Sequence, residues 1–500
     1  MIFPVRKTLS GRRAVVIGSG PGGLSAAISL AVRGARVIVL EKSADIGPTF
    51  RAVPLGEQSF EQSLSSVIDP QVLVELFASA DQRTTDFVAL HRRNPIARFL
   101  FADQSHFDLP HEKEQLEEQV TRLDAQDGKR FVAFLRECRG IAGGLQTFRR
   151  VRAITGNAVW SHWRFARAAG EIINPLSFRM KVNRTFRSEK VRAMLMSLRV
   201  LSGISPAAPA AFSQDFLARL QELGGWHVEG GGEAMLTALL RLCELLGVKF
   251  AAGANVERIE LEGGRVRRVS GEGFKTVAAS IVVSNSEPFE RLGRFLPKLD
   301  ALELPIKRAW KHPKAPSYCT LLAHVGQRHD QLAARTVVVS ADPTEESRFV
   351  DAWKIPAASP SLVVENVSQE NTPAGEMLLA VRAAVPPAST RFQWSEAEAN
   401  EFRARMISAL EEAGLAKLNA SIKESHFVSP ASPEMDALPF SGDMGYDVSS
   451  YRLLSRIPRN RVAQIPGLYL ASGYAFPGPG FVNELLSGMI AAVCASEDAL

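Results

Sequence analysis

The sequence predicts an α/β fold, and three widely separated segments predict it. Residues 13–42 read as strand, glycine turn, helix and strand. Residues 229–285 read as glycine turn, amphipathic helix and strand-rich return, and residues 467–492 as strand, Gly/Pro loop and helix.

In the first segment, RAVVIGSGPGGLSAAISLAVRGARVIVLEK, residues 14–17 form a short continuous apolar run, as a parallel strand buried on both faces requires. Gly18, Gly20 and Gly23 then fit GxGxxG at a strand-to-helix junction. The first permits a tight turn, the second lets the backbone approach a pyrophosphate, and the third lets the helix pack closely on the strand. The helix is expected to run to about Arg33 with Gly34 as its cap. Its positive N-terminal end would face phosphates. A second apolar run, 37–40, ends at Glu41, 23 residues after Gly18, where an acid accepts hydrogen bonds from a ribose diol. An acid there argues against a 2′-phosphate. The motif alone leaves FAD and NAD both open.

The second segment opens EGGGEAMLTALLRLCELLGVKF, whose helix carries Met235, Leu236, Leu239, Leu240, Cys243 and Leu246 on one face. Strand-like ANVERIEL, a hairpin turn at Gly263 and Gly264, RVRRVS and a buried run at 280–284 follow, before Asn285. The third segment places a helix start near Phe481, whose amide end can meet a second electron-poor or anionic group.

Five hundred residues exceed one ordinary core. A chain that is 46% hydrophobic, 22% charged and 8% aromatic is globular, which excludes disordered, collagen-like and disulfide-stapled classes. Cys138, Cys243, Cys319 and Cys494 lie far apart and read as buried thiols of a reducing cytoplasm. No metal is expected, since the spacing of Cys319, His324 and His329 lacks a fourth ligand. A Walker phosphate loop and a GxSxG elbow are absent. No apolar run precedes residue 14, so no secretory signal is expected. The longest uncharged stretch, 462–483, holds Pro466, Pro477 and Pro479, and a helix so broken would leave backbone groups unpaired in lipid.

The net charge of +6 is uneven: residues 150–200 hold eleven Lys or Arg against Glu171 and Glu189, a local +9 that leaves the rest at −3. Trp160, Trp163, Phe165, Phe178 and Phe186 alternate there with Arg164, Arg167, Arg179, Lys181, Arg184 and Arg187. The pattern describes a face for anionic lipid, with a solvated basic face over a helical core as its plainer alternative. Nucleic acid is not expected, because no reading motif accompanies the charge. Residues 76–224 read as mostly helical. Residues 296–454 read as mixed, with strands at 336–340 and 377–385, while 203–212 and 355–364 read as loops.

Taken together, GSGPGG with Glu41, the GGGEAM…ANVERI…VVSN passage and the terminal GLYLASG…PGPG…LLSG resemble the phytoene desaturase family of carotenoid desaturases, within the amine-oxidase-like flavoproteins. IDPQVLVELF at 68–77 also looks similar. The resemblance implies FAD in a Rossmann-type domain built from three chain passes (1–75, 225–295 and 455–500), a helical cap at 76–224 that faces the membrane if its basic segment binds lipid, and a mixed-sheet substrate domain at 296–454. It implies that Gly18, Gly20, Pro21, Gly22, Gly23, Glu41 and Lys42 line the ADP half, with Gly47, Thr49 and Arg51 beside them. Val256 would offer its backbone to the adenine, Gly473 would meet the ribityl-pyrophosphate, and Gly480, Phe481 and Val482 would lie under the flavin.

Three departures stand out. Gly47, Pro48 and Thr49 replace the family's GGR, with Arg51 two positions on. Glu61, Gln62 and Ser63 stand where an Asp–Gly pair is common, and Phe476 where a histidine often precedes the proline. No catalytic acid or base is assigned. Asn483 and Glu484, just inside the last helix, are the polar residues best placed to approach a flavin, although pairing with the helix dipole is the better explanation of both.

The implied function is an FAD-dependent oxidoreductase that desaturates a long apolar carotenoid-like or isoprenoid substrate, with oxygen or a quinone as electron acceptor. The alternatives are a flavin-dependent isomerase, saturase, oxygenase or oxidase on a carotenoid, retinoid or smaller non-isoprenoid substrate. A non-catalytic carrier of a hydrophobic pigment at the membrane is the alternative from another class. The expected location is the cytoplasm, peripheral on the inner face of the membrane if the basic segment binds lipid.

Overall fold

The computed structural model describes residues 8–50, 52–60, 66–67, 69–155, 176–204, 208–286, 295–296, 315–346, 359–369, 371–386, 394–430, 432 and 457–500. The chain begins with β1 (Arg13–Ile17), α1 (Pro21–Val32) and β2 (Arg36–Leu40). Pro21 sits at the start of α1, where its missing N–H costs nothing, and Gly34 ends the helix at φ +96°. A hairpin of β3 (Val53–Leu55) and β4 (Gln58–Phe60) follows, then β5 (Ser66–Val67), α2 (Gln71–Ala78), β6 (Leu90–Arg92), β7 (Ala97–Leu100) and β8 (His106–Leu109).

Helices α3 (Lys113–Leu123), α4 (Ala125–Thr155), α5 (Phe178–Thr185), α6 (Glu189–Ser197), α7 (Arg199–Ser202) and α8 (Ala210–Leu223) make the middle of the chain. The return comprises β9 (Trp226–Val228), α9 (Gly231–Leu245), β10 (Lys249–Ala251), β11 (Asn255–Glu262), β12 (Arg265–Glu272), β13 (Val277–Ala278) and β14 (Ile281–Ser284). The remainder is β15 (Ser317–Val325), β16 (Arg335–Val338), β17 (Leu362–Asn366), β18 (Met377–Val385), α10 (Glu396–Glu412), β19 (Ile422–Val428), β20 (Leu468–Leu470) and α11 (Phe481–Glu497).

Two sheets organise these elements. The first is parallel, in the order β10-β2-β1-β14-β20, with Ala14 opposite Ile281 and Val282 opposite Leu468. Strand side chains alternate between faces. Ala14, Val16, Val37, Val39, Ile281 and Val283 therefore pack under α1, α9 and α11, while Val15, Ile17, Leu40 and Val282 pack on β11 and β12. Both faces are covered, which is why the strands are continuous apolar runs. Between β11 and β12, Gly263 and Gly264 both take positive φ, as a two-residue hairpin turn requires.

The second sheet is mixed, in the order β19-β15-β18-β17-β16-β7-β8. One face carries Cys319, Leu321, Ala323, Leu379, Val381 and Ala383 under Phe402, Met406 and Leu410 of α10. The opposite face packs Leu322, Leu378 and Ala380 on Phe60 of β4, and Val337 and Val363 on the helical cap.

Several sequence expectations change here. Residues 97–109 are not helical; Phe99 and Phe107 alternate along β7 and β8, which extend the mixed sheet beyond β16. The loop readings at 203–212 and 355–364 overrun, because Ala210 already opens α8 and Leu362 already lies in β17. Phe178 and Phe186 do not face a lipid surface. They pack against Phe131 and Phe134 inside the cap, so the aromatic half of that pattern is core for these two residues. Lys181 reaches Glu137, and Lys190 pairs with Asp103 at 2.6 Å. Trp160, Trp163, Arg164, Phe165 and Arg167 lie outside the described residues. All four cysteines are buried free thiols. No helix among the described residues is long and apolar enough to cross a membrane.

Candidate functional site

The carboxyl ends of β1, β2, β14 and β20 meet at the glycine turn, where an open α/β sheet offers its ligand crevice. Gly18 turns the chain at φ +95° and donates its N–H to Leu40 O at 2.8 Å. The other glycines are fixed by crowding. A Cβ on Gly20 would lie 2.6 Å from Asn285 Oδ1, one on Gly22 2.3 Å from Ala471 O, and one on Gly23 2.1 Å from Gly18 O. Gly23 thus serves the close packing inferred from sequence. Gly22 has a role that local sequence could not show, namely backbone contact with the terminal pass.

Glu41 is buried at the end of β2. Its Oε2 accepts from Ser19 N at 2.8 Å and Ser19 Oγ at 2.7 Å, and its Oε1 accepts from Ser43 N at 2.9 Å. Ser19 Oγ in turn accepts from Gly47 N at 2.8 Å, which ties the second glycine turn to the first. A carboxylate offers about four acceptor sites, so capacity remains on Oε1 for a diol hydroxyl. Lys42 is exposed. Gly47 has φ +65° and packs so tightly under α9 that a Cβ would meet Leu236 Cδ1 at 2.4 Å. Thr49 Oγ1 is buried without a hydrogen-bond partner among the described residues, and Arg51 lies outside them.

The other predicted positions are distributed as follows. Val256 is 5% exposed, its side chain belongs to the core under the parallel sheet, and it stands opposite Gly271 in the β11–β12 ladder. Gly473 is buried in the loop between β20 and α11. Gly480 precedes α11 at φ +109°, and a Cβ there would find only Asn483 Nδ2 at 3.9 Å, so the space beside it is open. Phe481 stands edge-on to Phe50 with ring centroids 6.1 Å apart, and Val482 is half-buried. That ring contact brings the 47–50 turn to the start of the last helix.

Two residues that hold the site together carried no assigned role in the sequence. Asn285 takes Ile17 O through its N–H at 2.8 Å and donates its side-chain amide to Ala471 O, joining all three passes. Buried Asn460 places Nδ2 within 2.9 Å of Phe476 O and 2.8 Å of Ser487 Oγ, fixing the 471–480 loop against α11. A polar residue closing an apolar run, as in VVSN, was the available signal for the first. The second had none.

Asn483 donates to Pro479 O at 2.8 Å and so holds its own loop. Glu484 differs. It is half-buried in the first turn of α11, its carboxyl has no hydrogen-bond partner among the described residues, and burial pushes it up to about 7. No group of three or more His, Cys, Asp or Glu among the described residues is placed to hold a metal. His324 instead meets Glu376 at 2.5 Å on the mixed sheet.

The cradle suits a dinucleotide, since the glycine turn lies at the carboxyl ends of the parallel strands and the start of α1, with the buried acid Glu41 at the end of β2. The comparisons agree. The family described as FAD dependent oxidoreductase matches residues 13–493. The chain is 27% identical over 496 residues to a zeta-carotene-forming phytoene desaturase of Myxococcus xanthus, covering 96% of this chain and 93% of the relative. It is 26% identical to a 4,4'-diapolycopene oxygenase of Methylomonas sp, covering 96% and 97%. An oxidoreductase structure from Methanosarcina mazei superposes with a TM-score of 0.66 at 15% identity, covering 95% of this chain and 99% of that one.

Proposed function

We propose that this chain, which belongs to the FAD-dependent oxidoreductase family, introduces double bonds into a long apolar, carotenoid-like isoprenoid. The end-to-end likeness to carotenoid enzymes carries the reading, because a shared nucleotide half alone would point only to the cofactor.

On this reading the FAD-binding domain is assembled from 1–75, 225–295 and 455–500. Gly18, Gly20, Pro21, Gly22 and Gly23 receive the pyrophosphate, Glu41 the ribose diol, and Lys42, Gly47, Thr49 and Arg51 flank them. The Val256 backbone meets the adenine, Gly473 the ribityl-pyrophosphate, and Gly480, Phe481 and Val482 underlie the ring. Bound there, FAD supplies the two-electron acceptor for a hydride leaving an allylic carbon. The protein's own share is to orient the chain, exclude water and take the proton left on the neighbouring carbon. Glu484 Oε is our candidate for that proton. Its raised carboxyl favours the neutral form, so the accepting, ionised form prevails only above about pH 7. Oxygen or a quinone would accept the electrons finally, and the basic segment at 150–200 would rest on anionic lipid.

The test begins with the absorption spectrum of the purified protein and identification of the flavin released on denaturation. FAD near one per chain is expected. Anaerobic mixing with a detergent-solubilised C40 polyene should bleach the flavin band at a rate that rises through pH 7. In Glu484→Gln that rise should vanish and the rate fall roughly 100-fold. An apoprotein that refuses added FAD would sink the cofactor assignments, and a flavin that no polyene bleaches would sink desaturation. Glu41→Gln should weaken FAD about 10- to 100-fold by equilibrium dialysis, as loss of a charged acceptor does; unchanged affinity would place the ribose elsewhere.

A further inference from the structure

The amino ends of the parallel strands carry a cationic hollow that the proposed reaction does not use. The strands β10, β2 and β1 are neighbours in the sheet and open on Lys249, Arg36 and Arg13, all exposed. Arg13 and Arg36 stand side by side in register. Next to them, Arg12, Ser280 and Arg265 line one cavity of about 330 Å³, together with the 462–467 loop and Ala495 of α11. The glycine turn lies at the other end of the sheet, a five-residue strand of roughly 16 Å away.

The backbone around the cavity is fixed. Arg12 donates its N–H to Leu9 O at 3.0 Å and its carbonyl accepts from Arg36 N at 2.8 Å, while Val266 N, next to Arg265, reaches Pro466 O at 3.1 Å. The three arginines of the cavity differ in how they are engaged. Arg461 bonds Asp498 and Glu497 at 3.0 Å each and reaches Cys494 O at 3.3 Å, so it covers the carbonyl end of α11. Asp498 is the one acid lining the cavity, and it also accepts from Tyr469 Oη at 2.8 Å. Arg265 stands opposite Glu262 in the β11–β12 ladder, yet that carboxylate bonds Arg267 Nε at 2.9 Å. The guanidiniums of Arg12 and Arg265 and the Ser280 hydroxyl therefore line one space with no hydrogen-bond or ion-pair partner among the described residues.

We propose that this cavity binds a phosphoryl group between Arg12 and Arg265, with Ser280 donating to a further oxygen. Guanidinium forks fit phosphate oxygens, and a tetrahedral anion offers acceptors in more than one plane, as donors from three separate segments require. Arg13, Arg36 and Lys249 do not line the cavity, but they raise the positive potential beside it and so draw an anion in. Val462 and Pro466 supply apolar contact for whatever carries the phosphoryl group. The carrier is either a small soluble ester or the headgroup of an anionic lipid, and the chemistry at the two arginines is the same for both. The site is separate from the flavin cradle and holds whichever substrate the flavin oxidises.

The test uses the full chain saturated with FAD, so that the glycine turn offers no competing phosphate site. Calorimetric titration with glycerol phosphate at fixed ionic strength reads a soluble ester. Flotation with vesicles of phosphatidylcholine and phosphatidic acid, against phosphatidylcholine alone, reads a headgroup. Binding is expected in at least one arm, and the arm that responds identifies the carrier. Arg12→Gln and Arg265→Gln should each weaken it about 10-fold, as loss of a charged donor does, with flavin content unchanged. Arg258→Gln removes an exposed charge from β11 that does not line the cavity, and should weaken binding less than about 2-fold. Silence in both arms would overturn the proposal. So would binding that neither cavity variant weakens, or an equal loss in all three variants, which would mean a diffuse field and no site.

Discussion

Replacing Gly488 with valine is expected to strip the protein of flavin and to lower its stability by several kcal/mol. Gly488 lies where α11 crosses α1, and a Cβ there would sit 2.3 Å from Gly22 O and 2.6 Å from Ala26 N. Those are backbone atoms, which cannot rotate aside as a side chain can. The helices must part, against the buried Ser25 Oγ to Leu485 O hydrogen bond of 2.6 Å and the packing of Leu24, Ile28 and Leu485. Overpacking of this kind costs about 1–3 kcal/mol for alanine, and more for a branched side chain. Because the displaced residue on α1 is Gly22, the cradle moves with the helix. Flavin per chain after gel filtration and the midpoint of thermal unfolding read both effects. Gly140→Ala on α4 is the control, since a Cβ there meets nothing within 4 Å, and it should be neutral or stabilising by about 0.5–1 kcal/mol. Full flavin retention in Gly488→Ala, with an unchanged midpoint, would refute the account.

The second large effect is expected from Glu365→Gln. Glu365 is 1% exposed and its carboxylate accepts from both Arg335 and Arg382. The amide keeps the shape and leaves buried Arg335 and half-buried Arg382 without their shared anion, a change that costs up to about 3–5 kcal/mol where a buried pair is broken. Urea midpoints should show that loss. Adding Arg382→Met to Glu365→Gln should recover part of it, because the repulsion then disappears. The exposed pair of Arg83 with Asp86 makes the contrast: Asp86→Asn should change stability by less than about 1 kcal/mol. A Glu365→Gln protein as stable as the parent would show that the mixed sheet tolerates these two arginines without their acid.

How much of this was legible in the sequence depends on how local each signal was. The nucleotide half was legible because a strand, three glycines, a helix and Glu41 fall within thirty residues, and each carries its own steric or hydrogen-bonding reason. The crowding that forbids a side chain at Gly22 comes from Ala471, far along the chain, and no window could contain both. Asn285 and Asn460 are ordinary amides until the strands they join are placed together. Residues 97–109 were read as helix-rich because ARFLFADQSHFDL is short and set among helical neighbours, and only the edge of the mixed sheet gives its alternation somewhere to pair. Phe178 and Phe186 misled for a related reason. Aromatics spaced among arginines look alike on a surface and over a core, and the cap places these two inside. The pairing of Arg335 and Arg382 with Glu365 was invisible, each arginine being a single charge in or beside a strand read from its apolar run.

The order of the parallel sheet has a bearing on how the protein is made. Its central strand β1 is synthesised among the first residues, its neighbour β14 only after residue 280, and the outer strand β20 with α11 after residue 467. A nascent chain emerging from the ribosome therefore owns half of a cofactor cradle for most of its elongation, with Ile17 O and the notch at Gly22 still waiting for Asn285 and Ala471. The mixed sheet and the cap are translated in between and can close on themselves first, so the segment made earliest is among the last to reach its final neighbours. Cofactor capture then reports that translation has passed α11, and a message truncated before residue 468 would yield a chain whose glycine turn is intact but has nothing to close it.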